Sequence, residues 1–219
     1  GFTVPEGTRI TLRLYGADGR LSVTESVSDG AGEGSTDPAQ ELVVMRSGRL
    51  QVEGPGGRGY DVTVLPDNAP TITVDGPVSR VQGGEMRLPF SASDDFAVIG
   101  GEATFTLDLA ATDRIYGLAT PPEPREPLVV PIPLTLTGDR AEFTEVLAEN
   151  FSEHPWANLP VRLEMTATDH LNQTGRSEPF AMELPGRRFF NPLAAAIIEQ
   201  RRDLLWSREN AKRVWQVLK

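Results

Sequence analysis

The chain offers few of the side chains from which active sites are usually built. It has two histidines, His154 and His170, and no cysteine among its 219 residues. Disulfides, thiolate nucleophiles and Cys-based zinc sites are therefore excluded. The two histidines stand 16 residues apart in separate loop-like segments, whereas zinc wants three or four ligands and a general base wants a partner inside a pocket. His154 precedes Pro155 and reads as a turn residue, with Trp156 plugging a core; His170 reads as exposed in a hairpin turn. Among the carboxylates, Asp94, Asp95 and Asp169 are the best metal candidates, because calcium takes several oxygen ligands and carboxylates at strand ends can supply them. The competing reading is that each caps a turn by accepting backbone N–H groups. No EF-hand loop is present, so the expectation is no metal and no cofactor.

Nucleophile and phosphate motifs are missing as well. There is no Gly-x-Ser-x-Gly and no Ser-x-x-Lys. Gly54-Pro55-Gly56-Gly57-Arg58-Gly59 lacks the Lys-Ser/Thr and the following helix of a phosphate loop, so it reads as a turn. The expectation is that the chain is not an enzyme.

The elements that would position any site are mostly strands. Gly and Pro number 21 and 18 and punctuate many short alternating runs, as an all-β chain requires. Thr8 to Tyr15 alternates with Ile10, Leu12 and Leu14 on one face, and Leu21 to Thr24 is a weaker strand. A loop spans 28–39. Leu42 to Met45 and Leu50 to Val52 flank Ser47-Gly48 and predict a hairpin, followed by a strand over Tyr60 to Val64. Pro66-Asp67-Asn68-Ala69-Pro70 reads as a linker between this N-terminal module (1–65, expected to lack a strand at its start) and a second module over 71–186. There, strands are predicted at Thr71 to Val74, Met86 to Ala92, Ala103 to Leu109, Leu128 to Leu136, Ala141 to Leu147, Val161 to Asp169 and Pro179 to Leu184. Four prolines over 119–127 make an extended loop or edge. Seven strands in this length predict an immunoglobulin-like sandwich. The fold expected is mainly β: two immunoglobulin-like β-sandwich modules followed by a C-terminal α-helix.

From Arg187 the period changes. Asn191-Pro192 is an N-cap with proline at the first helical position. Leu193, Ala194, Ile197, Ile198, Leu204, Leu205, Ala211, Val214, Trp215 and Leu218 then fall at helical spacing. Phe189 and Phe190 are expected to bury the first turns on the second module. Ser207 either breaks this helix or rides on it; if straight, the helix from Leu193 to Leu218 would run about 40 Å, too long for a module to cover. Two readings stay open: the stripe packs only on its own sandwich and is structural, or it continues past Lys219 as a seam, and then Leu204, Trp206, Trp215 and Leu218 are expected to meet a protein partner or a second copy of the chain.

Charge is divided unevenly. Residues 187–219 hold eight Lys or Arg against three acids, +5, so the remainder of the chain carries −10 − 5 = −15. Such an acidic body repels nucleic acid and anionic lipid, so only the C-terminal segment could meet an anionic partner, and its charged helix face reads first as solvated. No run reaches the length of a membrane span, and no signal peptide is present. The start at Gly1 without Met and the helical pattern running to Lys219 suggest a piece of a longer protein.

Several short strings, in order, resemble one family. They are Pro66-Asp67-Asn68-Ala69-Pro70-Thr71-Ile72, Ser93-Asp94-Asp95-Phe96-Ala97-Val98, His154-Pro155-Trp156-Ala157, Ala167-Thr168-Asp169 with Gln173-Thr174-Gly175-Arg176-Ser177-Glu178, and Leu184-Pro185 leading to Phe190-Asn191-Pro192-Leu193-Ala194 and Ile198-Glu199-Gln200-Arg201-Arg202. The stretch from Pro66 to about Leu205 is similar to DUF4175, a family of large alphaproteobacterial envelope proteins of unknown function. Its members have Gly where this chain has Ala97 and an Ala-Gly-Gln turn where it has Leu171-Asn172-Gln173. The resemblance implies membrane helices upstream, a periplasmic body anchored in the inner membrane, a long helical region downstream and no established catalytic residue. The function expected is a periplasmic scaffold or interaction module, with membrane contact only through segments outside this sequence. Peptide or glycan binding is the alternative, and an envelope hydrolase ranks behind both.

Overall fold

The computed structural model describes residues 1–15, 20–30 and 34–219. Part of the loop predicted over 28–39, namely 31–33, lies outside them. The chain divides into two compact units, Gly1–Asn68 and Ala69–Lys219.

The first unit holds strands β1 (Phe2–Pro5), β2 (Thr8–Arg13), β3 (Ser22–Glu25), β4 (Ala39–Val44), β5 (Gly48–Glu53) and β6 (Gly59–Leu65). One sheet has the order β1-β6-β5-β3, with β1 parallel to β6; the other pairs β2 with β4. Val23, Val27, Val44, Leu50 and Val62 form its buried centre, with Ile10, Leu12 and Leu14 packed against it. The predicted hairpin at Ser47-Gly48 does not form. β4 pairs with β2 while β5 pairs with β3 and β6, so the chain changes sheets at this point. The crossing is held by Met45 and Arg46, whose N–H groups bond the carbonyl of Val27 at 2.8 and 3.1 Å, and by the Ser47 hydroxyl, which accepts from Val64 N at 2.9 Å. A short polar Ser-Gly corner serves a sheet change as readily as a hairpin, and local sequence does not distinguish the two.

The second unit contains β7 (Thr71–Val74), β8 (Ser79–Arg80), β9 (Met86–Ser93), β10 (Gly100–Leu107), β11 (Leu128–Pro131), β12 (Glu142–Glu149), β13 (Pro160–Thr168), β14 (Thr174–Arg176) and β15 (Phe180–Glu183). The order β12-β9-β7 makes one sheet, with β8 on β9; β11-β10-β13-β14 makes the other, with β15 on β13. Alternation explains the core. Met86, Leu88, Phe90 and Ala92 of β9 and Val161, Leu163, Met165 and Ala167 of β13 all face inward and are buried. Phe90 meets Phe143 edge-on at 6.3 Å between centroids, and Phe105 meets Phe151 at 5.2 Å. Trp156 is buried in the same core, as its position beside Pro155 predicted. In chain order, a first, second and fifth strand face a third, its neighbour, a sixth and a seventh, which is an immunoglobulin-like β-sandwich. The strand predicted over Leu128 to Leu136 stops at Pro131, where two prolines in three residues end the ladder. The predicted return strand is split into β14 and β15, and between them the Ser177 hydroxyl accepts from Met165 N at 2.9 Å.

Helix α1 (Pro192–Trp206) begins as predicted. Asn191 caps it, its side chain accepting from Leu193 N at 2.9 Å and Ala194 N at 3.3 Å, with Pro192 at the first helical position. It does not run on unbroken. Ser207 is extended (φ −153°, ψ 132°), a 3-10 turn covers Arg208–Asn210, and α2 (Ala211–Leu218) follows. The single long helix is therefore replaced by two, and the two ends are buried in the reverse of the expected order. Phe190 is 93% exposed, whereas Trp206 is 2% exposed.

Candidate interaction site

The reversal has a polar cause. The face that α1 turns to the sandwich carries Gln200, Asp203 and Trp206, all buried. Trp206 packs with Leu118 and Leu159 and against Leu107, and its indole N–H donates to the Thr120 carbonyl at 2.8 Å. Arg114 lies 6.0 Å from the indole centroid. The proline-rich stretch between β10 and β11 straps the helix end. Glu123 N donates to the Trp206 carbonyl at 2.6 Å, the Arg125 guanidinium donates to the Leu205 carbonyl at 2.9 Å, and the Glu123 carboxylate accepts from Arg208 N at 3.1 Å. These bonds satisfy carbonyls that a helix terminus leaves unpaired. Asn210 closes the turn by donating to the carbonyls of Gly117 and Asp203, each at 2.7 Å. Arg213 pairs with the buried Asp203 carboxylate. Gly117 sits so close that a Cβ there would collide with Asp203 and Arg213.

Of the four residues expected to meet a partner, Trp206 is thus committed within its own unit. Trp215 and Leu218 are 63% and 56% exposed, and Leu204 is half-exposed. Leu193 and Ile197, in the first turns that were expected to lean on the second module, also face solvent. The apolar stripe is therefore mostly on the outer side; the docked side of α1 is polar apart from Trp206, and on α2 Val214 is buried.

Beside α1 lies a cavity of about 370 Å³. Its walls are the loop 152–158, the segment 187–190 and one side of α1, where Ala195, Ile198, Glu199, Arg201 and Arg202 contribute. Arg187 and Arg188 stand opposite Arg201 and Arg202, and Phe189 and Phe190 add aromatic wall. Sequence reading counted these arginines as a solvated basic face. The signal it passed over was the repetition of an Arg-Arg pair before and after a Phe-Phe-Asn-Pro helix start. His154 also lines the cavity. Its Nδ1 accepts from Trp156 N at 3.1 Å and its ring stands edge-on to the indole at 5.0 Å. Burial pushes its pKa below the usual 6.5, and the positive charge of Arg125 adds to the shift. His170 is exposed.

Two of the three calcium candidates, Asp94 and Asp169, serve as turn caps. Asp94 accepts from Phe96 N at 3.0 Å and Ala97 N at 2.7 Å, and Asp169 accepts from Gln173 N at 2.8 Å. Asp95 is exposed at the Asp94 corner. Asp169 does not join Asp94 and Asp95 in one set of ligand atoms lying within 4.8 Å of one another.

A family model described as a domain of unknown function, DUF4175, matches residues 1–219. The chain belongs to the DUF4175 family. The match extends over 1–65, where the sequence strings were weak. No curated protein matches this DUF4175 chain. Among solved structures it is similar to the FN1–FN3 domains of chicken CNTN1, at 13% identity and TM-score 0.32, covering 86% of this chain and 63% of that one. It is similar at 14% identity and TM-score 0.32 to a Salmonella alpha-2-macroglobulin mutant, covering 82% and 14% respectively. A marsupial T cell receptor shares 12% identity at TM-score 0.29, covering 85% and 70%. The DUF4175 chain thus spans less than two thirds of the first two, and at such scores none of the three bears on its function.

Proposed function

We propose that this DUF4175 chain is a non-catalytic interaction module of a membrane-anchored envelope protein, working in the periplasm and presenting its C-terminal helices to a protein partner. The observation that carries the reading is the division of labour along those helices. Burial of Trp206, its two bonds to Thr120 and Glu123, and the neighbouring bonds at Leu205 and Arg208 lock them to the sandwich, while Leu204, Trp215 and Leu218 are left toward solvent on the elements so held. Large exposed apolar side chains on a rigidly anchored helix are what an interface uses. The compartment and the anchor rest on the family alone.

The test is crosslinking in intact envelopes from a photoreactive group at position 215, alongside sedimentation of the purified chain at rising concentration. The expected result is one discrete adduct, to a partner or to a second copy. It should be lost when Leu218→Glu is added to the chain that carries this group at position 215, with the melting temperature unchanged. A monomer at every concentration and no adduct would reject the reading.

A further inference from the structure

We propose that the cavity between the 152–158 loop and α1 binds an organic phosphate, an ester oxyanion carried on an apolar body. The site is independent of the exposed helical face that carries the interaction reading. At about 370 Å³ it falls within the range of ordinary small-molecule sites. Four arginines line it, Arg187, Arg188, Arg201 and Arg202, against one acidic residue, Glu199. The lining therefore carries +3 while the rest of the chain carries −10 − 3 = −13. A concave positive site in an acidic protein concentrates compact anions, and the surrounding negative charge turns away a long polyanion such as nucleic acid.

The state of each arginine sharpens the chemistry. Arg201 donates to the Glu153 carbonyl at 3.1 Å, which fixes its side chain. The nearest acid to Arg202 is Asp203 at 3.7 Å, and Asp203 is already engaged by Arg213. Among the described residues no carboxylate pairs with Arg187, Arg188 or Arg201, so their charge is uncompensated within the chain. Arg187 rests over the Phe189 ring at 5.5 Å, which holds its planar group in place. One guanidinium fork saturates a carboxylate, whereas a phosphate ester has more terminal oxygens and up to two charges, so several forks at one cavity match phosphate better. The helix N-terminus does not compete for the anion, because Asn191 already occupies its first amides. Phe189 and Ile198 supply the apolar wall, and Phe190, 93% exposed, stands at the mouth. An anion without an apolar body would leave that wall unused.

Calorimetric titration of the whole chain with phenyl phosphate, benzoate and inorganic phosphate tests the proposal. Flotation with phosphatidylglycerol or phosphatidylcholine vesicles distinguishes a soluble ester from a lipid headgroup. Phenyl phosphate is expected to bind saturably and roughly tenfold or more tighter than either benzoate or inorganic phosphate. Flotation only with phosphatidylglycerol would assign the oxyanion to a lipid; no flotation would assign it to a soluble ester. An Arg187→Ala, Arg188→Ala variant should lose binding by about tenfold or more with its melting temperature unchanged, since these exposed residues have no acidic partner to lose. Arg176→Ala, on the far sheet, should bind as the parent does. Benzoate binding as tightly as phenyl phosphate, undiminished binding by the double variant, or no saturable binding of phenyl phosphate together with no flotation would each overturn the proposal.

Discussion

Trp206 shows how far a residue type alone can mislead. An aromatic near the end of an amphipathic stretch reads as an interface residue, but here the indole N–H has an internal acceptor and the ring an internal pocket. Trp206→Ala should therefore destabilise the chain by about 3–5 kcal/mol in urea unfolding, where an interface residue would leave the monomer unaffected. Gly117→Ala should also destabilise it, because the methyl group has no space beside Asp203 and Arg213; a melting temperature equal to the parent's would disprove that close approach. His154 makes stability depend on pH in a stated direction. Its folded pKa lies below the unfolded value of 6.5, so its contribution is full above pH 6.5 and is lost as pH falls from there toward the folded pKa. Asp108 adds a second loss at lower pH. The hydrogen bond from Arg162 holds its carboxyl below 3.8, so that contribution is present above 3.8 and disappears as pH falls through the folded value. Melting scans from pH 8 to 5 should slope downward in the parent and flatten in His154→Phe.

At the scale of elements, the strands of the second unit were legible because each is half of a two-faced core. The alternation of Met86, Leu88, Phe90 and Ala92 admits one buried face. The start of α1 was legible for a similar reason, since Asn-Pro is a local stereochemical signal. The break at Ser207 was legible only as one of two alternatives, a serine that ends the helix or one that rides on it. It depends on bonds from Glu123, Arg125 and Asn210, two of which lie about eighty residues upstream. Periodicity could not choose the docked side either, because the winning face holds the polar Gln200 and Asp203 beside Trp206, while the apolar Leu193 and Ile197 stay exposed. The basic character of 187–219 was visible in the sequence, but not that the loop 152–158 would turn part of it into a cavity wall. Asn210→Ala removes the side-chain amide that bridges Gly117 and Asp203. It should cost about 1–3 kcal/mol and raise hydrogen exchange in Ala211–Leu218 while the β10 and β13 amides stay protected.

At the scale of the whole molecule, the two units have separate and unequal centres. Among the described residues, five buried hydrophobics form the first core and nineteen the second. Small cores leave little surplus over chain entropy. Calorimetry should resolve two transitions, with the unit Gly1–Asn68 melting first, and a single two-state transition would contradict the division. The boundary was readable as a change of alternating set across Pro66 and Pro70, whereas the relative strength of the units was not, since it depends on how many distant residues each core gathers.

The strap formed by Glu123 and Arg125 has a mechanical consequence. Tension applied at Lys219 would reach α2 first, and its eight residues could lengthen by about 15 Å as they pass from helix to extended chain. The load would then fall on Asn210, on the Trp206 indole and on the two strap bonds to the end of α1, all pulled together. The sandwich strands would feel it only after that latch gave way. In an optical trap this is a small early extension, a plateau, and then a sharp rip; the Trp206→Ala chain would show the early extension and lose the plateau.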